Sequence, residues 1–324
     1  MVRGAAYASN MISTDREVLV IGSGVIGLTT AIRLVEAGFS VRIRTAAPPQ
    51  ETTSRVAGAM WGSTFAGPAG KVTGWAEESL RAFRELASDP ASGVSMGSGT
   101  LASSSGEAPP PELFPGVEVR PCDPPKGFDG AFRVTLPVID MPRYLDHLVG
   151  RLRRAGVEIE PGRVESLAEV AEEGAPVVNC AGMGARDLVA DPDLRPVRGQ
   201  HVVVENPGLD EFFTTEPFGP AWTSWFPHGE RVVLGSVAQE DDWDLTPRDE
   251  DADRILEGCA AIEPRLRDAR VIEHQVGLRP ARDVVRVEAE QRDTGRCVHN
   301  YGHGGTGVGL SWGCASEVVT LVDS

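Results

Sequence analysis

The sequence has no long apolar run, no clustered cysteines and no block of basic residues. No segment approaches the roughly 18 to 20 apolar residues of a membrane-spanning helix. Residues 1–15 also lack the apolar core of a signal peptide, which favours a cytoplasmic protein without a membrane partner. The five cysteines are far apart and form no C-x-x-C pair. Because this is neither a zinc pattern nor a dense disulfide framework, we expect reduced thiols and no metal site.

The charge balance is acidic. Acidic residues outnumber basic residues by 47 to 31, which gives a formal net charge of −16. This excess disfavours nucleic acids and anionic membranes as partners, so we expect small-molecule partners. The 324 residues, of which 41% are hydrophobic and 24% charged, are typical of a globular protein with about two domains. A homo-oligomer is left open.

One stretch, 18–44, predicts a nucleotide-binding unit. The apolar run 18–21 is typical of a buried parallel strand, 25–37 has a helical repeat, and 40–44 returns as a second strand. Glycines at the G-x-G-x-x-G spacing connect the first strand to the helix. A glycine fingerprint alone is weak evidence, but this strand–helix–strand context favours a dinucleotide site over a phosphate-free turn.

Each of the three glycines has a separate predicted role. Gly22 permits a tight turn, Gly24 lets the backbone approach a pyrophosphate, and Gly27 lets the helix pack closely against the strand. The N–H groups and the positive dipole end of the helix would then face the diphosphate.

The identity of the dinucleotide is open at this stage. An acid at the end of the second strand usually holds the adenosine ribose, but this chain has Arg44 and Thr45 there, and the nearest acid is Glu51. Arg44 is compatible with NADP or with an ordinary solvated charge. The hydroxyl-rich segment 52–61 has two interpretations as well: a helix N-cap cluster, or donors to phosphates or a cofactor ring.

Further along the chain, the pattern predicts an α/β fold in which one discontinuous Rossmann-like domain is interleaved with a mostly antiparallel substrate domain. The nucleotide domain comprises 16–63, 141–193 and 293–324, and the substrate domain comprises 64–140 and 194–292. Helices are predicted at 72–86, 144–154, 249–262 and from 307 onward, strands at 132–137, 157–159, 175–180, 200–205, 231–238, 284–289 and 296–299, and short strands with long connections at 88–130.

Five segments together resemble the D-amino-acid oxidase family of FAD enzymes. The strongest are VGLRPAR at 276–282 and HNYGHGGTGVGLSWGCA at 299–315. TTSRVAGAMWG at 52–62, VVNCAG at 177–182 and PVRGQ at 196–200 support them. The segments span almost the whole chain in the family's order, and they are far more specific than the glycine fingerprint.

The resemblance implies FAD as the cofactor. Free N–H groups of the run 304–307, ahead of a helix, would stabilise negative charge on the reduced flavin. Gly309 replaces a usual threonine and would contact FAD through its backbone alone, while Val164 would lie near the adenine. The implied cofactor contacts are Gly22, Gly24, Val25, Ile26, Gly27, Thr45, Thr53, Ser54, Gly58, Ala59, Met60, Val164, Gly182, Arg279, Gly304, Gly305, Thr306, Gly307, Val308 and Gly309.

The resemblance also implies a substrate clamp. The guanidinium of Arg279 matches a carboxylate with two parallel hydrogen bonds; the alternative is an ordinary salt bridge, which we expect for Arg282 and Arg286. The predicted catalytic residues are Arg279, Gly305 and Ser224.

Ser224 marks a departure from the family, which places tyrosine hydroxyls at the substrate carboxylate. This chain has only three tyrosines, and Ser224 occupies one expected position. We expect weaker substrate binding and more room for a bulky side chain. Trp222, Trp225 and Phe218 are candidates either for the pocket or for the core.

The predicted activity is oxidation of neutral or apolar D-amino acids by hydride transfer to flavin N5. The products are 2-oxo acids, ammonia and hydrogen peroxide, and dioxygen is the second substrate. No side-chain base is required, so His299 and His303 are interpreted as structural. The alternatives are a glycine, sarcosine or D-aspartate oxidase, and a non-catalytic nucleotide-binding protein.

Overall fold

A computed structural model describes residues 16–62, 67–68, 70–171, 175–215, 221–292 and 295–324. It contains one large mixed sheet with helices on both sides. The helices are α1 (Val25–Glu36), α2 (Val72–Leu86), α3 (Met141–Arg154), α4 (Leu167–Ala171), α5 (Ala185–Leu188), α6 (Asp249–Ile262) and α7 (Gly307–Asp323).

The strands of the two halves of the sheet alternate along the chain. They are β1 (Glu17–Ile21), β2 (Ser40–Thr45), β3 (Val94–Ser103), β4 (Arg120–Cys122), β5 (Gly130–Ile139), β6 (Ile159–Pro161), β7 (Val177–Asn179), β8 (Arg195–Glu205), β9 (Phe212–Thr215), β10 (Ala221–His228), β11 (Arg231–Val237), β12 (Gln239–Glu240), β13 (Val271–Arg292) and β14 (Gly295–His303).

The parallel half of the sheet has the strand order β6-β2-β1-β7-β14, and every neighbouring pair in it is parallel. Val18 lies opposite Val41, and Val20 lies opposite both Ile43 and Val178. The side chains of β1 are almost completely buried because α1 packs against this sheet together with α3 and α7. The predicted strand–helix–strand unit is therefore confirmed.

The antiparallel half has the order β13-β8-β11-β10-β9-β3-β5-β4, and β12 also pairs with β8. All of its pairs are antiparallel except β3 with β9. The helix α6 covers β8, β10 and β11, and it begins with three acids that suit its dipole. This mostly antiparallel half, joined to the parallel half through β13 and β14, confirms the predicted fold class.

One sequence prediction about the strands is wrong, and another gives a confirmed strand too short. Region 88–130 contains the ten-residue strand β3, whose small residues pair with β5 along its whole length. The strand predicted at 284–289 belongs to the 22-residue β13, which also contains the VGLRPAR segment. Glycine, proline and arginine obscured the strand pattern there, although tertiary pairing with β8 holds the segment extended.

The division into two domains stays a prediction. Its boundaries after residues 140 and 193 fall between elements, whereas those at 63/64 and 292/293 involve residues outside the described ranges. All five cysteines are free thiols. Among the described residues, no helix combines the length and apolar character needed to span a bilayer, and no cluster of three metal-binding side chains occurs.

Candidate active site

A cavity of about 420 Å³ lies where the two halves of the sheet meet. At its nucleotide end it is formed by the first βα turn (Gly22, Gly24, Val25) and Ser54, and at its arginine end by Gly199, His201, Gly277 and Arg279. The structure thus brings together most of the predicted site residues. Those in the cavity wall are Gly22, Gly24, Val25, Ile26, Thr45, Thr53, Ser54, Val164, Gly182, Arg279, Gly304, Gly305, Gly307 and Val308.

Two glycines of the fingerprint are required by the backbone itself. Gly22 has a positive φ of 104°, and a Cβ atom on it would lie 2.5 Å from the carbonyl oxygen of Cys180. A Cβ on Gly27 would lie only 2.0 Å from the carbonyl oxygen of Gly22. Gly22 therefore forms the turn, and Gly27 acts through helix–strand packing from outside the cavity wall.

Gly24 has a different role because no backbone atom crowds it. It is the N-cap of α1, and a Cβ there would first meet the Ser54 hydroxyl, at 3.1 Å. The same hydroxyl accepts a hydrogen bond from the Val25 N–H at 2.9 Å. A turn without a side chain at the start of a helix, where N–H groups and a hydroxyl converge, is a suitable cradle for a diphosphate.

The end of β2 shows whether Arg44 could bind the additional phosphate of NADP. The hydroxyls of Ser23 and Thr45 lie 2.9 Å apart, and Thr45 donates to the carbonyl of Ala47 at 2.7 Å. The Arg44 guanidinium lies 3.8 Å from the Glu160 carboxylate and is not part of the cavity wall. Arg44 is therefore an ion-paired charge at the end of the strand, which gives no support to an NADP phosphate site.

The glycine run before α7 lies directly beside Arg279. Gly304 has a positive φ of 55°, and a Cβ on Gly305 would lie 3.6 Å from Cδ of Arg279. Thr306 donates its hydroxyl to the carbonyl of His303 at 2.9 Å, so this hydroxyl completes the turn instead of facing the cavity. The run supplies backbone groups next to the guanidinium.

Several predicted contacts lie outside the cavity wall. A Cβ on Gly309 would lie 2.1 Å from the carbonyl oxygen of Gly62, so close backbone packing explains why no threonine stands there. Met60 forms a β-bridge with Val138, which directs it into the sheet. The predicted contacts that the structure leaves out of the wall are Gly27, Gly58, Ala59, Met60, Thr306 and Gly309.

Arg279 has no carboxylate partner among the described residues. Its guanidinium donates to the carbonyl of Val237 at 3.0 Å and to the hydroxyl of Ser236 at 2.8 Å. It lies over Gly199 and 5.4 Å from the centre of the Trp222 ring. Burial without a counter-ion lowers the pKa of Arg279 to about 10. Such a cation is stabilised by any anion that enters the cavity.

The other two arginines of this region behave as predicted. Arg282 forms an ion pair with Asp191 at 3.1 Å, and Arg286 with Glu288 at 2.7 Å. Their charges are therefore neutralised outside the cavity, which distinguishes Arg279 from its neighbours on β13.

The structure does not support Ser224 as a donor to a bound substrate. Ser224 is only 1% exposed, is not part of the cavity wall, and donates its hydroxyl to the carbonyl of Gly235 at 3.2 Å. Its side chain is too short to reach past Gly235. Of the aromatic candidates, Trp225 stacks on Phe213 at 4.4 Å in the core, and Trp222 faces Arg279. Phe218 lies outside the described residues.

The two described tyrosines do not replace the missing donor. Tyr301 donates its hydroxyl to Asp191 at 2.6 Å and accepts from Arg286 at 2.7 Å. Tyr144 accepts from the indole N–H of Trp312 in the core. Tyr7 lies outside the described residues.

His201 is a residue of the cavity wall to which no sequence motif assigns a role. It lines the cavity, and its Nδ1 lies 2.9 Å from the carbonyl oxygen of Val56. Burial and the Arg279 guanidinium lower the pKa of His201 to about 4, so the ring is neutral near pH 7. The alternation of PVRGQH along a strand could have placed it, because Gly199 and His201 share one face of β8.

A buried ion pair supports the arginine end from the opposite face of β8. Arg198 is completely buried and pairs with Asp251 at 2.9 Å. Its remaining N–H groups donate to Gln200, Gln239 and two backbone carbonyls, while its own carbonyl accepts from Arg279 at 3.4 Å. This fully satisfied network holds the strand beneath the clamp, and the sequence did not reveal it.

Two buried polar atoms of the cavity wall have no hydrogen-bond partner among the described residues. They are Nε2 of His303 and Oδ1 of Asn300. Unsatisfied buried groups are rare and costly, so a polar ligand is the natural partner for them. Together with the open cradle at Gly24, they fit a dinucleotide cofactor.

Comparison with known proteins agrees with this geometry. The family described as FAD dependent oxidoreductase (DAO) matches residues 17–321. The chain is 45% identical over 308 residues to a D-amino-acid oxidase of Rubrobacter xylanophilus, covering 94% of both chains. It is 44% identical to a D-amino-acid oxidase of Streptomyces coelicolor, covering 95% of this chain and 97% of that protein.

Solved structures with the same architecture are more distant in sequence. The glycine oxidase of Geobacillus kaustophilus superposes with a TM-score of 0.78 at 18% identity, covering 95% of both chains. This likeness concerns the fold alone. The full-length family match and the two relatives carry the conclusion that the chain belongs to the FAD-dependent oxidoreductase family.

Proposed function

We propose that this protein is an FAD-dependent D-amino-acid oxidase that acts on neutral or apolar D-amino acids. The observation that carries the proposal is the Arg279 guanidinium, which faces a nucleotide-binding cavity without a carboxylate partner among the described residues. A planar guanidinium fixes a carboxylate by two parallel hydrogen bonds. The two relatives named D-amino-acid oxidase supply the reaction class.

Residues at both ends of the cavity would hold FAD. The turn at Gly22 and Gly24, with Ser54, suits the diphosphate, and Val164 suits the adenine. The backbone of Gly304 and Gly305 lies beside Arg279, where it suits the flavin. When bound, FAD supplies the acceptor for a hydride and its electron pair.

The chain's own contribution to the reaction is positioning. Arg279 holds the carboxylate of the substrate and thereby fixes the α-carbon, which enters with its amine uncharged. Val237 and Ser236 in turn hold the guanidinium. The overall reaction converts a D-amino acid, dioxygen and water into a 2-oxo acid, ammonia and hydrogen peroxide, and it requires no side-chain base.

The preference for neutral substrates follows from the charges at the arginine end. An acidic side chain needs a second cation. The other basic side chains of the described wall near Arg279 are His201 and His303, whose pKa values are lowered to about 4 and about 3, so both are neutral. Arg163 also lines the cavity, but beside Val164 at the other end. A second carboxylate would therefore be buried without compensation.

The proposed partners are a small D-amino acid and dioxygen. A cytoplasmic location and a homo-oligomeric assembly belong to the proposal as well. Fractionation of the native host and light scattering of the purified protein test them.

The experiment that tests the proposed function is a substrate panel. Purified holoenzyme is supplied with D-alanine, L-alanine, glycine, sarcosine and D-aspartate, and hydrogen peroxide release is measured. We expect the highest kcat/KM for D-alanine and none for L-alanine. A preference for glycine or sarcosine would replace the proposal with the corresponding oxidase, and a yellow protein that releases no peroxide from any of them would reject it.

A further inference from the structure

His201 lies beside the proposed carboxylate site on the same face of β8. Side chains two residues apart on a strand point to one face and are separated by about 6.5 to 7 Å. Gly199 precedes His201 by two residues, and the Arg279 guanidinium occupies the space above it. The distance between the His201 ring and the guanidinium is therefore about the length of a small amino acid.

The hydrogen bonding of the ring fixes its tautomer. Nδ1 lies 2.9 Å from the carbonyl oxygen of Val56, which can only accept, so Nδ1 carries the proton. The Nε2 atom of the neutral ring is then a lone-pair acceptor. Because the sole hydrogen bond of this side chain among the described residues is the one to Val56, Nε2 has no donor there.

Two glycines next to the Nε2 edge of the ring place no side chain against it. A Cβ on Gly235 would lie 2.9 Å from Nε2, and a Cβ on Gly58 would lie 3.5 Å from it. Ser224 stands on the far side of Gly235, but its hydroxyl is directed to the carbonyl of Gly235. A donor to Nε2 therefore has to come from a molecule that enters the cavity.

The ring is also uncharged under ordinary conditions. Burial and the nearby Arg279 guanidinium lower the pKa of His201 to about 4. Among the described residues, Arg279 is the charged side chain that acts on this ring. At neutral pH the ring therefore offers a lone pair and no N–H to the cavity. A hydrogen-bond donor is attracted to this position, and a carboxylate oxygen is repelled.

We propose that His201 determines substrate specificity, because its unpaired Nε2 accepts a hydrogen bond from the side chain of the D-amino acid and excludes side-chain carboxylates. The inference rests on the proposed function and deepens it. It names the substrate class as D-amino acids with uncharged side chains, including those that carry a donor group on the γ carbon, such as an amide.

The test compares D-asparagine with D-aspartate. These two substrates have nearly equal volumes, and their side chains end in an amide and in a carboxylate, respectively. We expect the wild-type holoenzyme to favour D-asparagine by about 100-fold in kcat/KM, since one buried unpaired polar contact corresponds to factors of this order. His201→Leu removes the acceptor and should reduce the ratio about 10-fold. His201→Gln can turn an N–H to the substrate, so it should raise kcat/KM for D-aspartate.

The matched control is His274→Leu, which alters an exposed histidine on β13 and should leave the ratio at the wild-type value. A wild-type ratio within about 3-fold of unity, or an unchanged ratio in His201→Leu, would overturn the assignment. Absence of D-alanine oxidation rejects the proposed function, and a flat wild-type ratio rejects the preference for neutral substrates together with the role of His201. A high wild-type ratio that His201→Leu leaves unchanged rejects only the role of His201.

Discussion

The nucleotide end and the arginine end of the cavity achieve recognition in different ways. At the nucleotide end the backbone of one turn, 22–27, carries the recognition because glycines make room there, and the Ser54 hydroxyl lies beside it. At the arginine end the recognising groups are side chains on β8 and β13, supported by a carbonyl and a hydroxyl of β11. Backbone recognition requires a local motif, whereas side-chain recognition depends on which strands become neighbours.

The largest expected effect comes from filling the helix–strand contact at the nucleotide end. Gly27→Ala places a methyl group about where the carbonyl oxygen of Gly22 lies, so overpacking should cost about 3 kcal/mol or more. We expect loss of FAD and a lower Tm, measured by the flavin absorbance of the purified protein and by thermal unfolding.

Gly74→Ala is the matched control for that change. Gly74 is also helical, but no atom lies within 4 Å of its Cβ position. Its replacement should stabilise α2 by about 1 kcal/mol through helix propensity. Equal Tm changes in the two variants would show that close packing at Gly27 is not required.

The next effect concerns the clamp itself. Arg279→Ala removes both hydrogen bonds to the substrate carboxylate and should lower kcat/KM for D-alanine by about 1000-fold, mainly through KM. FAD content should stay near one per chain, because the nucleotide end is untouched. Arg81→Ala, at an exposed position of α2, is the control. Normal oxidation of D-alanine by Arg279→Ala would refute the clamp.

A smaller effect is expected from Ser236. Its hydroxyl accepts a hydrogen bond from the Arg279 guanidinium at 2.8 Å, so it is a positioning residue. Ser236→Ala should raise KM about 10-fold with a smaller change in kcat, which corresponds to one hydrogen bond to a charged group. Steady-state kinetics on D-alanine separate the two constants. If only kcat changed, Ser236 would not act by holding the guanidinium.

The smallest expected effect is the pH dependence that His303 gives to stability. Burial lowers the pKa of His303 to about 3, against about 6.5 for an unfolded histidine. Between these values the unfolded chain binds more protons, so stability falls as the pH falls. From pH 7 to pH 5 this amounts to about 2 kcal/mol.

Urea unfolding of wild type and His303→Gln at both pH values checks this contribution. The variant should lose about 2 kcal/mol less on acidification. His274→Gln, at an exposed position, should behave like wild type. Parallel losses in wild type and His303→Gln would mean that His303 does not titrate in this way.

The comparison of the two ends also explains what the sequence could predict. The βα turn at Gly22, the helices α2 and α6, and the closing helix α7 follow from local periodicity and turn chemistry, so their predicted bounds agree with the structure. Arg279 was identified from a family motif. Ser224 was misplaced, because its orientation depends on a carbonyl of the neighbouring strand β11.

The role of His201 needs information from three other segments of the chain. Val56 fixes its tautomer, Gly235 and Gly58 place no side chain against its ring, and Arg279 lowers its pKa. None of these residues is within 20 positions of His201 along the chain. Such a constellation exists only after β8, β11 and β13 have paired.

The most direct test of the account is the flavin spectrum under anaerobic conditions. The central claim is that Arg279 holds an amino acid carboxylate so that the α-hydrogen is delivered to the bound flavin. Wild-type holoenzyme should bleach when mixed with D-alanine and stay yellow with L-alanine, and Arg279→Ala should remain yellow with both at the same concentration. Bleaching of Arg279→Ala by D-alanine at the wild-type concentration dependence would contradict the claim.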